Sequence, residues 1–533
     1  MNWIKRTEGD ALVVADFKDS GHIKKIEQAV QHGRKVLFCD VGEDLDPVLD
    51  NILNKSLIQV GRTLCVKVGD KELEYHPDFK LYITTRMSNP HYTPEVSTKV
   101  TVVNFTVKES GLEEQCLGIV VKAELPSLES NKNDVIQKIA TNKTTIIELE
   151  DKILRMLSES KVNLLEDVAL IDTLQSSKET SDEVKQALEQ AEITMKKVDD
   201  TRETYRACGR QASILFFVLN DLNKIDPMYQ FSLDWYKALF MKSIEESRDQ
   251  MFQDRIKSIT KWHTLQVYKQ ACRSLFERHK LLLSMQMCIK LQVAEGIINE
   301  DEWSFFLRGG QVLDRSTQPA RPPFDWITPQ AWDHITELEK AIPETFTGIA
   351  NAVALNHKDW HRWYLSVKPA PPESAQLPGE WETKCEDKLK KMIVLRCFRT
   401  DRVNFAIRNY VEQHMKKDFI ENRPTILKEV FEESKASEPI IFLLSPGVDP
   451  TDALKKLADE KGTQFEAISM GKGQSERAKR ILAEGAEQGN WIFLANCHLS
   501  ISLLPELESM VDDLFKRAVS PDFRLILSAR PHP

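Results

Sequence analysis

Between residues 128 and 206 the chain carries neither glycine nor proline, and apolar or small side chains return there in a 4-3 rhythm. On a first arm the positions are Val135, Ile139, Asn142, Ile146, Leu149, Ile153 and Met156. After a polar turn region, 158–163, the rhythm resumes at Leu174, Ser177, Ser181, Val184, Leu188, Ala191, Met195, Val198, Arg202 and Tyr205. A repeat of about 3.5 residues puts such positions on one side of a helix, and no breaker interrupts either arm. Two long helices paired antiparallel along a weak, partly polar seam are therefore predicted. An arm of about 28 residues would reach roughly 40 Å. Two ordinary bundle helices would satisfy the same rhythm, but the faces away from the seam are polar nearly all round, which favours a projecting hairpin.

The flanks are of another kind. In residues 1–127 the short β-rich runs Ala11-Leu12-Val13-Val14, Val36-Leu37-Phe38-Cys39, Leu64-Cys65-Val66-Lys67-Val68, Leu81-Tyr82-Ile83-Thr84-Thr85 and 100–107 are separated in places by amphipathic segments such as 23–31. That alternation predicts an α/β layer with a largely parallel sheet. Residues 207–310 read as packed helices, among them 213–222 and 272–293, with Met285, Met287 and Cys288 as core filler. Helices continue through 311–438, broken by proline-rich stretches, and from 439 the strand–helix alternation returns: strands at 439–444, 465–470, 491–494 and 523–527, helices from Thr451 and Ser475. The fold class expected is thus mixed α/β and α-helical: two P-loop-like α/β subdomains, both incomplete, separated by an antiparallel coiled-coil hairpin and a helical lid.

Length alone implies about three or four units. The 533 residues have a net charge of −9, with the cations dispersed and no basic block. Phosphate neutralisation needs clustered cations, so no nucleic-acid partner is expected, nor direct binding of an acidic surface. Nine cysteines (39, 65, 116, 208, 272, 288, 385, 397, 497) show no CxxC and no nearby histidine pairing, which suits reduced thiols and neither a disulfide frame nor a metal site. The N-terminus has no apolar signal region, and no run approaches the roughly 18 apolar residues of a membrane span. A cytosolic or connected compartment without membrane contact is expected.

Two places have the outline of nucleotide chemistry without its residues. Ile440-Ile441-Phe442-Leu443-Leu444 runs through Ser445-Pro446-Gly447-Val448-Asp449-Pro450 into a helix, the strand–loop–helix order that cradles phosphate. No lysine is present to meet the phosphates, Asp449 puts a carboxylate where the anion would sit, and Pro450 removes a backbone N–H. Asp449 as N-cap with Pro450 at the first helical position accounts for the segment structurally. Farther on, the strand 491–494 leads to Ala495-Asn496-Cys497-His498, with neither a Mg²⁺-binding Asp nor a catalytic Glu. Cys497 beside His498 resembles a nucleophile pair, but neighbours on extended chain point to opposite faces, so a buried structural pair is the alternative. Gly471-Lys472-Gly473-Gln474 opens a helix, which is weak evidence of phosphate binding. In the first block an apolar strand ends in Asp40, able to hold Mg²⁺, but Val41 stands where a general base is needed. No catalytic and no metal-ligating set is expected.

In order and spacing, NWIK (2–5), DVGEDLDPVLDNIL (40–53), LYITTRMSNPHYTPEVSTKV (81–100), GLEEQCLGIVV (111–121), FLRGGQVLD (306–314), FLLSPGVDPTDAL (442–454), WIFLANCHLS (491–500) and PDFRLILS (521–528) resemble the motor of dynein heavy chains. The YITT…NPHYTPE wording is similar to axonemal members, and ILFFVLNDLNKIDPMYQFSLD (214–234) to a two-headed inner-arm type.

That resemblance implies a ring of six AAA+ modules in one chain. Residues 1–127 would be the fifth large subdomain, 128–206 the buttress (strut) hairpin leaning on the microtubule-binding stalk, 207–310 the fifth module's helical lid, 311–438 the connection into the sixth module, and 439–533 the sixth α/β core (the D6 region). Because the first block begins inside one sheet and the last stops inside another, a longer parent chain is expected. The resemblance further implies that neither module hydrolyses ATP, that ATP and Mg²⁺ act elsewhere in the parent motor, and that partners are the other modules and stalk, with intermediate and light chains and microtubules reached through the parent. Location would be cytoplasm, cytoskeleton and ciliary axoneme. Lys99 falls near where an AAA+ module offers an arginine finger to its neighbour's nucleotide; a surface lysine is the alternative. The competing functions are a self-sufficient AAA+ ATPase and a passive coiled-coil scaffold.

Overall fold

In the computed structural model, residues 2–530 are described except 16, 18–20, 40, 43–44, 61–62, 70, 86, 88–90, 160–167, 248–251, 311–317, 368–369, 422–425, 446, 472, 502–503 and 517–518. Two units result, residues 1–217 with 231–264 and residues 218–230 with 265–533.

The first unit opens with strands β1 (Leu12–Ala15), β2 (Lys35–Phe38), β3 (Leu57–Val60), β4 (Thr63–Val68), β5 (Lys71–Glu74) and β6 (Lys80–Ile83). β1, β2 and β6 pair in parallel, with β2 central. Helix α1 (His22–His32) buries Ile26, Ala29 and Val30 against that sheet and ends at Gly33, whose φ of +66° is the left-handed stop glycine supplies without strain. Two sequence expectations fail here. The run 63–68 belongs to a separate antiparallel sheet, β3-β4-β5. The run 100–107 forms no strand: Val102, Val103 and Phe105 are 60%, 62% and 84% exposed. β-Branched content favours a strand only where a neighbour completes the ladder, and none of the described strands does so.

Helices α2 (Pro94–Lys99), α3 (Glu109–Glu124), α4 (Pro126–Glu159), α5 (Val168–Glu203), α6 (Arg206–Asp221), α7 (Leu233–Glu246) and α8 (Phe252–Ser274) follow; the division between units passes through α6 and α8. α4 and α5 pack along their length, and Lys132 Nζ lies 3.8 Å from Asp199 Oδ1, so the start of one faces the end of the other. Val135, Val198, Arg202 and Tyr205 are buried, and Ile139, Asn142, Ile146, Ser181, Val184, Leu188, Ala191 and Met195 half-buried, while Ile136, Ile147, Leu154 and Ile193 off the seam are exposed. The side chains of Leu149, Ile153, Met156, Leu174 and Ser177 and the turn residues 160–163 lie outside the described residues.

At the foot of this pair the buried His263 of α8 sits with Nε2 2.8 Å from Tyr236 Oη and Nδ1 3.1 Å from Ser243 Oγ, both on α7. Burial drives its pKa down to about 3. A histidine held neutral in the fold but free to protonate when unfolded contributes stability that is complete above about pH 6.5 and is lost as pH falls toward 3. We expect the urea-unfolding free energy of His263→Asn to depend less steeply on pH than the parent's between pH 6.5 and 4.5, by up to about 1.4 kcal/mol per pH unit. Equal slopes would remove His263 as an acid-sensitive element.

The second unit contains α9 (Glu277–Ala294), α10 (Glu300–Arg308), α11 (Pro329–Ala341), α12 (His357–Tyr364), α13 (Lys388–Phe398), α14 (Val403–Met415) and α15 (Leu427–Glu433). The helix expected over 272–293 is broken at Leu275–Phe276; Met285, Met287 and Cys288 are buried on α9, as packing residues should be. Then come β7 (Ile440–Leu443), α16 (Thr451–Lys461), β8 (Phe465–Ser469), α17 (Ser475–Gln488), β9 (Trp491–Ala495), α18 (Leu504–Lys516) and β10 (Arg524–Ala529). The four strands form a wholly parallel sheet ordered β7-β10-β9-β8. Side chains alternate across β9, so Trp491 and Phe493 meet Phe431 and Leu454 under α15 and α16, while Ile492 and Leu494 meet Ala478 and Leu482 under α17.

Candidate functional site

A parallel sheet offers its ligand surface at the carboxyl ends of its strands, where loops lead into helix N-termini. In the second unit that edge contains both sequence-predicted motifs. After β7 the chain turns with Val448 N–H donating to Ser445 O (3.2 Å) and Gly447 at φ +85°. Asp449 Oδ1 then accepts the Thr451 amide at 3.0 Å and the Thr451 hydroxyl at 2.5 Å, and Leu454 N–H donates to Pro450 O at 2.9 Å, closing the first helical turn. Pro450 is therefore the N-cap and Thr451 the first helical residue, and Asp449, expected as the cap, stands one position earlier and makes an Asx turn onto Thr451. The Thr451 side-chain and backbone bonds hold the exposed Asp449 carboxyl below its ordinary pKa, so a negative charge persists at the helix end where phosphate would bind. Ser445 and Gly447 are exposed, and Pro446 lies outside the described residues.

Beyond β9, Asn496 adopts φ +59°, ψ +44°, a left-handed conformation that Asn tolerates better than most side chains. Its N–H donates to Ser528 Oγ (3.0 Å) and its Nδ2 to Ser469 Oγ (3.3 Å), so it ties β9 to β10 and β8. Cys497 is buried with Sγ 3.3 Å from Leu494 O, and burial pushes its thiol pKa up. A thiol kept protonated is a poor nucleophile. His498 Nδ1 is buried with no hydrogen-bond partner among the described residues, so the adjacent pair makes no dyad through that atom. Of the second phosphate-like turn, Lys472 lies outside the described residues and Gly473 takes φ +80°.

In the first unit Asp40 lies outside the described residues. Val41 is buried, its N–H donating to Thr84 O at 3.0 Å. Lys99 closes α2 with Nζ 3.1 Å from Asp50 Oδ1, on the rim of an open depression of about 490 Å³ that Leu53, Asn54, Lys55, Glu95 and Thr98 also line. The Asp50 partner was missed in the sequence; 49 residues separate the two, and the only signal was the acidic wording of residues 40–53. Among the described residues no group of three or more His, Cys, Asp or Glu side chains is placed to hold a metal ion, and no described helix is long and apolar enough to cross a membrane.

Residues 1–184 match the family model of the ATP-binding dynein motor region, and residues 435–533 that of the dynein heavy chain region D6 P-loop domain. Dynein axonemal heavy chain 2 of Mus musculus is 47% identical over 537 aligned positions, covering 100% of this chain and 12% of the relative. The Dynein-1-beta heavy chain, flagellar inner arm I1 complex, of Chlamydomonas reinhardtii is 47% identical over 536 positions with the same coverage, and dynein axonemal heavy chain 1 of Mus musculus 38% over 533, covering 99% and 12%. The chain thus spans about an eighth of the length of these curated relatives. With such identity sustained from end to end and a motor-region match at both ends, this chain belongs to the axonemal dynein heavy chain family.

Proposed function

We propose that this chain supplies a non-hydrolysing element of the ring of a minus-end-directed microtubule motor that drives ciliary or flagellar movement. In this reading residues 1–127 and 207–310 make the fifth AAA+ module, 311–438 and 439–533 the sixth, and α4 with α5 a coiled-coil buttress. ATP turnover elsewhere in the ring tilts these modules, and the buttress passes the movement to the stalk, changing its affinity for microtubules. The partners are then the neighbouring modules and stalk of the same heavy chain, with intermediate and light chains and the axonemal microtubule reached through the parent.

The observation that carries the non-hydrolysing part is the start of α16. ATP with Mg²⁺ does not fit these residues: the Asp449 carboxylate already accepts the Thr451 amide, and Pro450 has no N–H to offer. Asn496 and Cys497 stand at the end of β9, where metal-binding and catalytic acids would be needed; Asn496 is engaged in tying β9 to its neighbours and Cys497 in a local bond back to Leu494 O. Lys99 remains the residue through which the fifth module would touch a neighbour's nucleotide, as a point charge released from Asp50.

Titration of the chain with Mg-ATP tests this reading. A ligand at about 100 times its Kd would stabilise the fold by about 2.7 kcal/mol. The expected result is no displacement of the thermal midpoint and no phosphate release above buffer. Saturable turnover would establish the self-sufficient ATPase instead.

A further inference from the structure

Both arms of the long helical pair are interrupted at one level. α3 gives way to α4 at Leu125–Pro126, where Leu125 leaves helical geometry (φ −135°, ψ +67°) and Pro126 has no N–H to continue the ladder. α5 gives way to α6 at Thr204–Tyr205. The Lys132–Asp199 pair fixes an antiparallel register that sets these two breaks opposite each other.

Below the breaks the helices are locked. A Cβ on Gly209 would lie 2.9 Å from Glu113 O and 3.0 Å from Leu117 N, so α6 and α3 touch backbone to backbone. One turn farther on, Ser213 Oγ donates to Glu109 O at 2.8 Å. Arg255 of α8 holds Glu124, the last residue of α3, with Nη2 2.8 Å from Oε1, and also donates to Ile244 O (2.6 Å) and Ser247 Oγ (2.7 Å) at the end of α7. Above the breaks stands the α4/α5 pair.

Arg206 bridges the two. Its guanidinium pairs with Glu203, the last residue of α5, through Nε and through Nη2 (2.6 Å to Oε1), and with two carboxylates of α3: Glu113 (Nη1, 2.6 Å) and Glu114 (Nη2, 2.7 Å). A planar fork engaged by three carboxylates fixes direction as well as distance, which a single flexible ion pair does not. We propose that Arg206 is the positioning residue that sets the angle at which the α4/α5 arm leaves the α3/α6 block, with the two facing breaks as its hinge. At the end of the 34-residue α4, roughly 50 Å from the hinge, a change of about 10° there moves the tip by roughly 9 Å.

The test is a pulsed dipolar distance measurement between spin labels carried on non-canonical residues at Glu148 on α4 and Ala238 on α7, both exposed. The parent chain should give one narrow distribution. Arg206→Ala should broaden it about twofold and Arg206→Lys less, since lysine keeps the charge but loses the fork. Glu203→Gln, which leaves the bonds to Glu113 and Glu114 intact, should also broaden it, and it decides the matter if Arg206→Ala loses helicity. Unchanged widths in Glu203→Gln, or in a fully helical Arg206→Ala, would overturn the proposal. The measurement reads the arm's angle alone, so it stands or falls separately from the motor reading.

Discussion

Gly209→Val is expected to destabilise the first unit by about 3 kcal/mol or more, and Gly209→Ala by about 1–3 kcal/mol, seen as lower urea midpoints by circular dichroism. Two effects oppose each other in the alanine variant. In a helix interior alanine is favoured over glycine by about 1 kcal/mol. At this position, however, the new methyl would stand 2.9 Å from Glu113 O and 3.3 Å from Leu117 Cα, and backbone cannot rotate aside as a flexible side chain can. Relief requires α6 to move off α3, which would also lengthen the Ser213–Glu109 bond and open the ground around the buried Cys116 and Leu117. Gly111, near the start of α3, is the control, because nothing lies within 4 Å of a Cβ there. Gly111→Ala should be neutral or raise stability by up to about 1 kcal/mol. The two substitutions are chemically identical, so opposite signs would isolate the close approach of the helices. A stabilising Gly209→Ala would mean that the joint is loose and that the block below the hinge is not rigid.

Sequence revealed most where one physical rule acts without competition. The seam rhythm was legible because a solvent-surrounded helical pair has one apolar stripe, and every predicted seam position with a described side chain from Val135 through Tyr205 is at least half-buried. The central parallel strands β9 and β10 were legible for the opposite reason: buried on both faces, they read as continuous apolar runs such as Trp491-Ile492-Phe493-Leu494. The turn at Asp449 was legible as a local arrangement, but its place was one residue off: Asp449 bonds the Thr451 amide as an Asx turn, and Pro450 takes the cap.

Properties that depend on a distant partner stayed hidden. Whether 100–107 becomes a strand depends on a neighbouring ladder, not on its valines. Leu64 to Val68 read as another parallel strand because periodicity does not distinguish a hairpin from a crossover, and the Gly69 turn (φ +60°) was the overlooked signal. The break between α8 and α9 at Leu275–Phe276 has no proline or glycine to mark it. Nor could spacing reveal Lys99 with Asp50, or Arg206 with Glu113 and Glu114, whose separations are set by the fold.

The second large effect concerns coupling. If the arm transmits ring motion, a heavy chain carrying this sequence but lacking residues 135–200 should still turn over ATP yet no longer change its hold on microtubules when ATP binds. The cut is structurally mild. Lys132 and Asp199 face each other across the pair, so a short Gly/Ser turn can rejoin the ends while the breaks, Arg206 and Gly209 remain intact. Removing the described part of the seam costs mainly contacts within the arm, because Ile139, Ile146, Val184 and Leu188 are half-buried against their own partners and not in either sheet's core. The measurement that tests the central claim most directly is therefore ATP-dependent microtubule release of this deletion beside its parent. We predict that the ratio of affinities without and with ATP falls to near one while basal ATP turnover persists. An unchanged ratio would contradict the coupling role and leave the helical pair a passive scaffold.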